Sequence, residues 1–248
     1  MYSFGSGVLI GTPSGANPTP TNFGLVQEVT YDEAGTLKSL FGQNRRALAV
    51  GAGTVKTTLK AKTARISGLV LASLYYGTSL TSGQTTTAVG EAGTVPAVST
   101  YTVTVSNAAA YVQDQGVVYA ATGLPLTRVA LVSAKGQYSV VIATGVYTFY
   151  SGDASAKVLI SYNYTISTSG QSIAIPNPLI GPTISFGANL YTVDPTTNLG
   201  LTLQLYNVVS AKLSFGTKLE DFALPDFEAE CFVNAAGLMG QWSLPDTF

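Results

Sequence analysis

The chain has 248 residues, a formal net charge of −1 and only 10% charged residues, against roughly 25% in an average soluble protein. It contains no histidine, which excludes a His-based triad, a His metal site and the usual neutral-pH switch. With no net positive charge there is no global field to hold nucleic acid, and a lone cysteine, Cys231, excludes a disulfide within the chain.

The length suits one large or two small domains. A free monomer usually keeps a charged surface for solubility, so this weak charging fits a subunit that hides much of itself against copies of itself. The N-terminal residues show neither a positive region nor a long apolar run, so no signal peptide is expected. No stretch reaches the ~18 consecutive apolar residues of a membrane span, and no membrane partner is expected.

Met1 to Asn22 is rich in Gly, Ser and Pro and reads as an extended arm that orders against a neighbour. A first strand is expected at Leu25 to Tyr31, then a long loop from Phe41 to Gly53 punctuated by Gly42, Gly51 and Gly53. Val55 to Ile66 alternates with period two: Val55, Thr57, Leu59 and Ala61 share one face, and Lys56, Thr58, Lys60 and Lys62 the other. A helix follows, with Ser67 as N-cap, Leu69, Val70 and Leu74 on its apolar face, and Gly77 as its stop. Gly77 to Ser99 is low in complexity and reads as a mobile loop.

From Tyr101 to Ile166 short strands alternate with Gly-containing turns, at Tyr101–Val105, Gly116–Tyr119, Leu126–Val129, Gln137–Val141 and Val146–Tyr150. The clearest is Lys157 to Ile166, with Val158, Ile160, Tyr162, Tyr164 and Ile166 on one face. This spacing argues for an antiparallel sandwich or barrel. A Gly/Pro-rich link holds Pro176, Pro178 and Pro182, and strands return at Ile184–Val193 and Leu199–Val209. The last strand presents Asp226, Glu228 and Glu230 on one face and Phe227, Ala229 and Cys231 on the other. Cys231 reads as a small buried hydrophobe.

Candidate chemistry is thin. Gly51-Ala-Gly-Thr-Val-Lys-Thr lacks the glycine that a phosphate loop needs before its lysine, and a strand follows where a helix N-terminus is required. Asp226, Glu228 and Glu230 lie roughly 6.5–7 Å apart at alternate strand positions, a spacing open to glycoside hydrolysis or Ca²⁺. Hydrolysis takes its carboxylates from opposite sides of a cleft, however, so an acidic solvent face is the simpler reading. No cofactor and no metal are expected. Asn163-Tyr-Thr matches the glycosylation sequon, and with no signal peptide expected it reads as a chance match.

Charge distribution is more specific. Thr36 to Ile66 holds seven basic residues (Lys38, Arg45, Arg46, Lys56, Lys60, Lys62, Arg65) and no acid, while Glu220 to Glu230 holds five acids (Glu220, Asp221, Asp226, Glu228, Glu230) and no base. Blocks of opposite sign suggest complementary surfaces that meet, within a subunit or between subunits.

Three segments together resemble the major tail tube proteins of long-tailed bacteriophages. They are Gly24-Leu-Val-Gln-Glu-Val-Thr-Tyr through Phe41-Gly42, the strand and helix from Val55 to Gly77, and Lys212-Leu-Ser-Phe-Gly-Thr-Lys-Leu-Glu-Asp-Phe through Trp242. Gly136-Gln-Tyr-Ser-Val, Gly145-Val-Tyr-Thr-Phe and Val158-Leu-Ile-Ser-Tyr resemble a strand-turn-strand pattern of phage structural proteins. The resemblance implies a mainly β, non-enzymatic virion component: one antiparallel β-sandwich or barrel over residues 1–248 with one flanking helix, and an inserted β elaboration at about 98–167. It implies hexameric rings stacked into a DNA-conducting tube, with tape measure, tail tip or baseplate, and terminator proteins as partners and DNA passing transiently. The subunit would sit in the virion tail after assembly in the host cytoplasm.

On the same grounds Arg45, Arg46, Lys56, Lys60 and Lys62 are candidates for inter-ring or inter-subunit contact, the loop with Arg45 and Arg46 reaching toward the adjacent ring. Glu220, Asp221, Asp226, Glu228 and Glu230 are candidates for a like-charged lumen wall or for charge partners. The alternatives are another β-rich virion part, such as a terminator or capsid decoration protein, and a carbohydrate-binding or adhesive sandwich suggested by the 14 tyrosines.

Overall fold

The computed structural model describes residues 5, 7–65, 67–181 and 183–245. The start of the expected arm, Ile66 at the end of its strand, and Pro182 lie outside the described residues. Among those described, the chain is mainly β with one helix and two single 3-10 turns, and it divides into two compact units: residues 1–80 with 173–248, and residues 81–172.

The first unit is built on one antiparallel sheet. Its strands are β1 (Val8–Pro13), β2 (Thr21–Asn22), β3 (Val26–Phe41), β4 (Ala47–Thr63), β12 (Ser185–Val193), β13 (Gly200–Ser214), β14 (Asp226–Phe232) and β15 (Gly240–Ser243). They run in the order β2-β1-β12-β13-β14-β4-β3, with β15 on β13. The expected N-terminal arm is thus corrected, because Val8–Pro13 pairs with β12 along its whole length and Leu9 is fully buried. Its partner strand lies far off in sequence, so no local pattern marks it.

This sheet curls over its apolar face. β2 and β14 are four strand spacings apart, about 19 Å if flat, yet the Phe23 and Phe227 rings are 5.3 Å apart. The physical cause is a corner at Gly24, whose φ of 87° lies in the left-handed region open to glycine. On one side Phe23 N donates to Leu9 O, and on the other Ala64 N donates to Leu25 O. One continuous segment therefore belongs to both ends of the sheet, which closes it toward a barrel.

The helix starts at Ser67, whose hydroxyl accepts from Val70 N. It runs as α1 (Gly68–Val70) into a π-helical stretch (Leu71–Tyr76) and stops at Gly77, φ 61°. Val70 and Leu74 enter one core with Leu9, Phe23, Leu59, Phe186, Leu203, Val208, Phe227 and Ala229. Each large aliphatic or aromatic side chain fully buried there is worth about 1.5–3 kcal/mol. Gly11 lies so close to the helix that a Cβ on it would sit 2.3 Å from Leu74 Cδ1.

The second unit is a small sandwich. One sheet is β5 (Thr81–Thr94), β11 (Lys157–Ser172) and β7 (Tyr111–Tyr119); the other is β6 (Thr102–Thr104), β10 (Val146–Phe149), β9 (Gln137–Val141) and β8 (Thr127–Arg128). Val158, Ile160 and Tyr162 of the first sheet meet Tyr138, Tyr147 and Phe149 of the second in a single core. The β8–β9 pair is parallel, a local departure from the expected antiparallel pattern.

Two further expectations are corrected. The mobile loop expected from Gly77 to Ser99 contains β5, paired with β11 from Thr94 down to Thr81. Its Thr-rich sequence suits a strand, but the pairing partner lies some seventy residues on. For this reason the compact unit runs from 81 to 172, wider than the span of about 98–167 read from sequence.

Candidate assembly surfaces

The second correction concerns the Gly-punctuated loop expected from Phe41 to Gly53. β3 and β4 pair throughout, from Val26↔Thr63 to Phe41↔Ala47, whereas β14 pairs β4 only between Thr57 and Lys62. The rest is a two-stranded hairpin standing clear of the sheet. Ten residues of β4 beyond the sheet make it about 30 Å long. Period-two alternation is absent there because Gly51, Ala52 and Gly53 give neither face a side chain to bury, so only the backbone ladder defines the strands.

The hairpin is exposed throughout, and beside its cationic residues it carries large apolar side chains: Leu37 is 72% exposed, Leu40 64%, Phe41 61% and Leu48 69%. A two-stranded hairpin alone in water is marginal, and contiguous apolar surface of this kind marks an interaction site. Arg45 and Arg46 sit in its exposed turn. Sequence reasoning named the arginines and missed these apolar neighbours. The signal was four large hydrophobics in a stretch without a buried face.

The two charge blocks meet inside one chain. β14 lies beside β4 with Asp226 opposite Lys62, Glu228 opposite Lys60 and Glu230 opposite Thr58. Lys56 pairs with Glu230, Lys60 Nζ stands 3.6 Å from Glu228, and Lys62 Nζ stands 2.6 Å from Glu28 on β3. Donating to Glu230 and Glu28 raises the Lys56 and Lys62 pKa values, and the hydrogen bond it accepts from Lys62 holds Glu28 below the ordinary carboxylate range. All are surface pairs that contribute little stability singly.

Lys56, Lys60 and Lys62, expected to face a neighbouring subunit, are therefore engaged by acids of their own chain. The like-charged wall is also corrected. Lys212 lies opposite Glu228 on the other flank, so Glu28, Asp32, Asp226, Glu228 and Glu230 share their face with Lys56, Lys60, Lys62 and Lys212. The face is mixed in sign and only slightly acidic. Its carboxylates are answered across strands by lysines and do not converge; among the described residues no group is placed to hold a metal ion. Glu220 and Asp221 stand apart, in the exposed loop between β13 and β14, where Asp221 holds Lys218 at 2.8 Å. Cys231 is half-buried, and burial pushes its thiol up to about 11.

An apolar cavity of about 220 Å³ opens at the end of the first unit's sheet away from the hairpin turn, lined by Phe23, Val70, Leu71, Leu213, Phe215 and Phe227. Thr63 and Arg65 also border it. Nothing in the sequence marked it, because its walls come from five separate segments.

In the second unit the tyrosines point inward. Asp114 accepts from Tyr138 at 2.7 Å and Tyr147 at 2.9 Å, Asp153 accepts from Tyr119, and Glu91 accepts from Tyr162. Burial, then these carboxylates, raise the pKa of Tyr119, to about 12, and of Tyr138. Burial is also the main cause of the rise at Tyr147 and Tyr162. These rings serve the core and its hydrogen bonding, and they offer no exposed platform for a sugar.

Comparison with known protein families and with curated proteins finds none that matches the chain. Among the described residues no helix is long and apolar enough to cross a membrane.

Proposed function

We propose that the chain is a non-enzymatic, self-assembling structural protein, the major tail tube subunit of a long-tailed bacteriophage. In this reading copies form hexameric rings, and the rings stack into the channel that conducts DNA. The observation that carries it is the β3–β4 hairpin, which holds its apolar side chains in water and whose β3, beyond the corner at Gly24, is an edge strand that pairs only with β4 among the described strands. An isolated protein normally blocks such an edge; repeated copies arranged head to tail complete it and close into a ring when the rotation permits. The low charge content and the resemblance of the β3–β4, helix and β13–β14 segments support the same assignment.

The mixed-sign face of β3, β4 and β14 suits a wall past which DNA slides, since its Lys56, Lys60 and Lys62 are already engaged by carboxylates. The adhesive-sandwich reading loses part of its support, because Tyr138, Tyr147 and Tyr162 of the second unit are buried in its core, although Tyr191 of the first unit is exposed. Electron microscopy of concentrated protein tests the proposal: rings or tubes with a central bore are expected. Monodisperse monomers at high concentration would remove it, and rings that never stack would favour a terminator-like role.

A further inference from the structure

We propose that the tip of the β3–β4 hairpin of one copy docks into the apolar cavity at the far end of the sheet of the next copy. This rests on the reading of the chain as a self-assembling subunit and deepens it by naming the receiving site. β4 carries both features: it begins at Ala47 beside the hairpin turn and ends at Thr63 on the cavity wall. Seventeen residues of strand put knob and socket about 50 Å apart. A tip this far from its own socket reaches only the socket of another copy.

The two surfaces match in chemistry. The knob offers Leu40, Phe41 and Leu48, all more than half exposed. The socket is walled by aromatic and aliphatic side chains and holds about 220 Å³, room for one such anchor. Residues 34–56 carry Lys38, Arg45, Arg46 and Lys56 and no acid. The loop that springs from the socket between Phe215 and Pro225 carries Lys218, Glu220 and Asp221; Asp221 holds Lys218, which leaves Glu220 as the acid without an ion pair among the described residues. Among the described residues Arg65, on the same wall, is the one cation bordering the cavity, so the arginines of the incoming turn lie toward Glu220 in the loop. Leu219 and Phe222 of that loop are 98% and 87% exposed, which enlarges the apolar area a docked hairpin would cover.

A knob and socket on opposite ends of one body make a heterologous contact. It repeats along an axis and does not stop at a pair. The test uses the full chain with Cys231→Ser, adding Phe41→Cys and Phe215→Cys together and each alone. After assembly and mild oxidation, the double variant is expected to run as a ladder of covalent multimers, and neither single variant should. Cross-linking that stops at dimers overturns the head-to-tail arrangement in favour of a two-fold pair.

Tubes of normal appearance that never cross-link overturn this contact and leave the tail-tube reading standing. A ladder from filaments without a bore supports the contact and removes the tail-tube reading. As a second arm, Arg45→Glu with Arg46→Glu should raise the concentration needed for assembly about tenfold or more, and adding Glu220→Arg with Asp221→Arg should restore it. Both sites are exposed, so folding is unaffected. Failure of the swap to restore assembly counts against the charge pairing.

Discussion

Asp114→Ala should be the most damaging single change in the second unit. The carboxylate is only 4% exposed and accepts from the Tyr138 hydroxyl at 2.7 Å, the Tyr147 hydroxyl at 2.9 Å and Gly116 N at 3.1 Å, with Arg128 at 3.7 Å. Both rings are buried, Tyr147 at 0% exposure and Tyr138 at 3%. Hydrogen bonds to a charged group contribute about 1.5–3 kcal/mol each, and a buried donor left without an acceptor costs about 1–3 kcal/mol. Tyr147 keeps a fallback, since its hydroxyl lies 3.0 Å from that of Tyr111; Tyr138 has no second acceptor among the described residues.

The expected loss is therefore about 3–5 kcal/mol for Asp114→Ala and about 1–2 kcal/mol for Asp114→Asn, which keeps one acceptor oxygen. Urea unfolding followed by tyrosine circular dichroism reads it. With a slope near 1 kcal/mol/M for a small domain, the alanine variant's midpoint falls by about 3 M or more. Trp242, the single tryptophan, belongs to the other unit, so its fluorescence midpoint should move much less. Replacing a buried charge with an apolar group is sometimes neutral or stabilising. A variant within about 1 kcal/mol of wild type would refute the claim that this carboxylate organises the core.

Gly11→Ala should cost about 1–3 kcal/mol through its clash with Leu74, and Leu74→Ala in the same chain should cost less in that background than alone, as a thermal-melt double-mutant cycle would reveal. An alkaline titration of tyrosinate absorbance should show Tyr31, Tyr111, Tyr119, Tyr138, Tyr147 and Tyr162, six of 14, losing their protons later than an ordinary tyrosine while the protein stays folded. Because their folded pKa values are raised, this stability is whole below the unfolded value and is lost as pH climbs through the folded ones. At the acid end Glu91 behaves oppositely: burial opposes its ionisation, but hydrogen bonds from Tyr162 and Ser106 outweigh that and hold it low. Its contribution is thus present at neutral pH and lost as pH falls through that lowered value, which Glu91→Gln should abolish in an acid-unfolding profile. Cys231, raised to about 11, should react slowly with thiol reagents near pH 8 and faster as pH rises; fast labelling of native protein at pH 8 would contradict its half-buried position.

What the sequence determined alone is whatever depends on near neighbours along the chain. The helix between Ser67 and Gly77 was legible because a cap and a left-handed stop are local features; of its expected apolar residues Val70 and Leu74 are buried, whereas Leu69 is exposed and Ala72 is buried in addition. The faces of β14, β4 and β11 were legible because period two sorts Phe227 and Ala229 from Glu228, Leu59 and Ala61 from Lys60, and Val158 and Ile160 from the less buried Lys157, Leu159 and Ser161. The two charge blocks were visible as well, but not which chain would answer them.

Tertiary structure decided the rest. β1 and β5 became strands through partners about 180 and 70 residues away. The hairpin outgrew its expected ends through a ladder of small residues that leave no hydrophobic rhythm. Lys56 and Lys60 met Glu230 and Glu228 only once β14 lay beside β4. The common reason is that strand pairing joins residues by backbone hydrogen bonds across long loops, and a local window of sequence holds only one side of each pair.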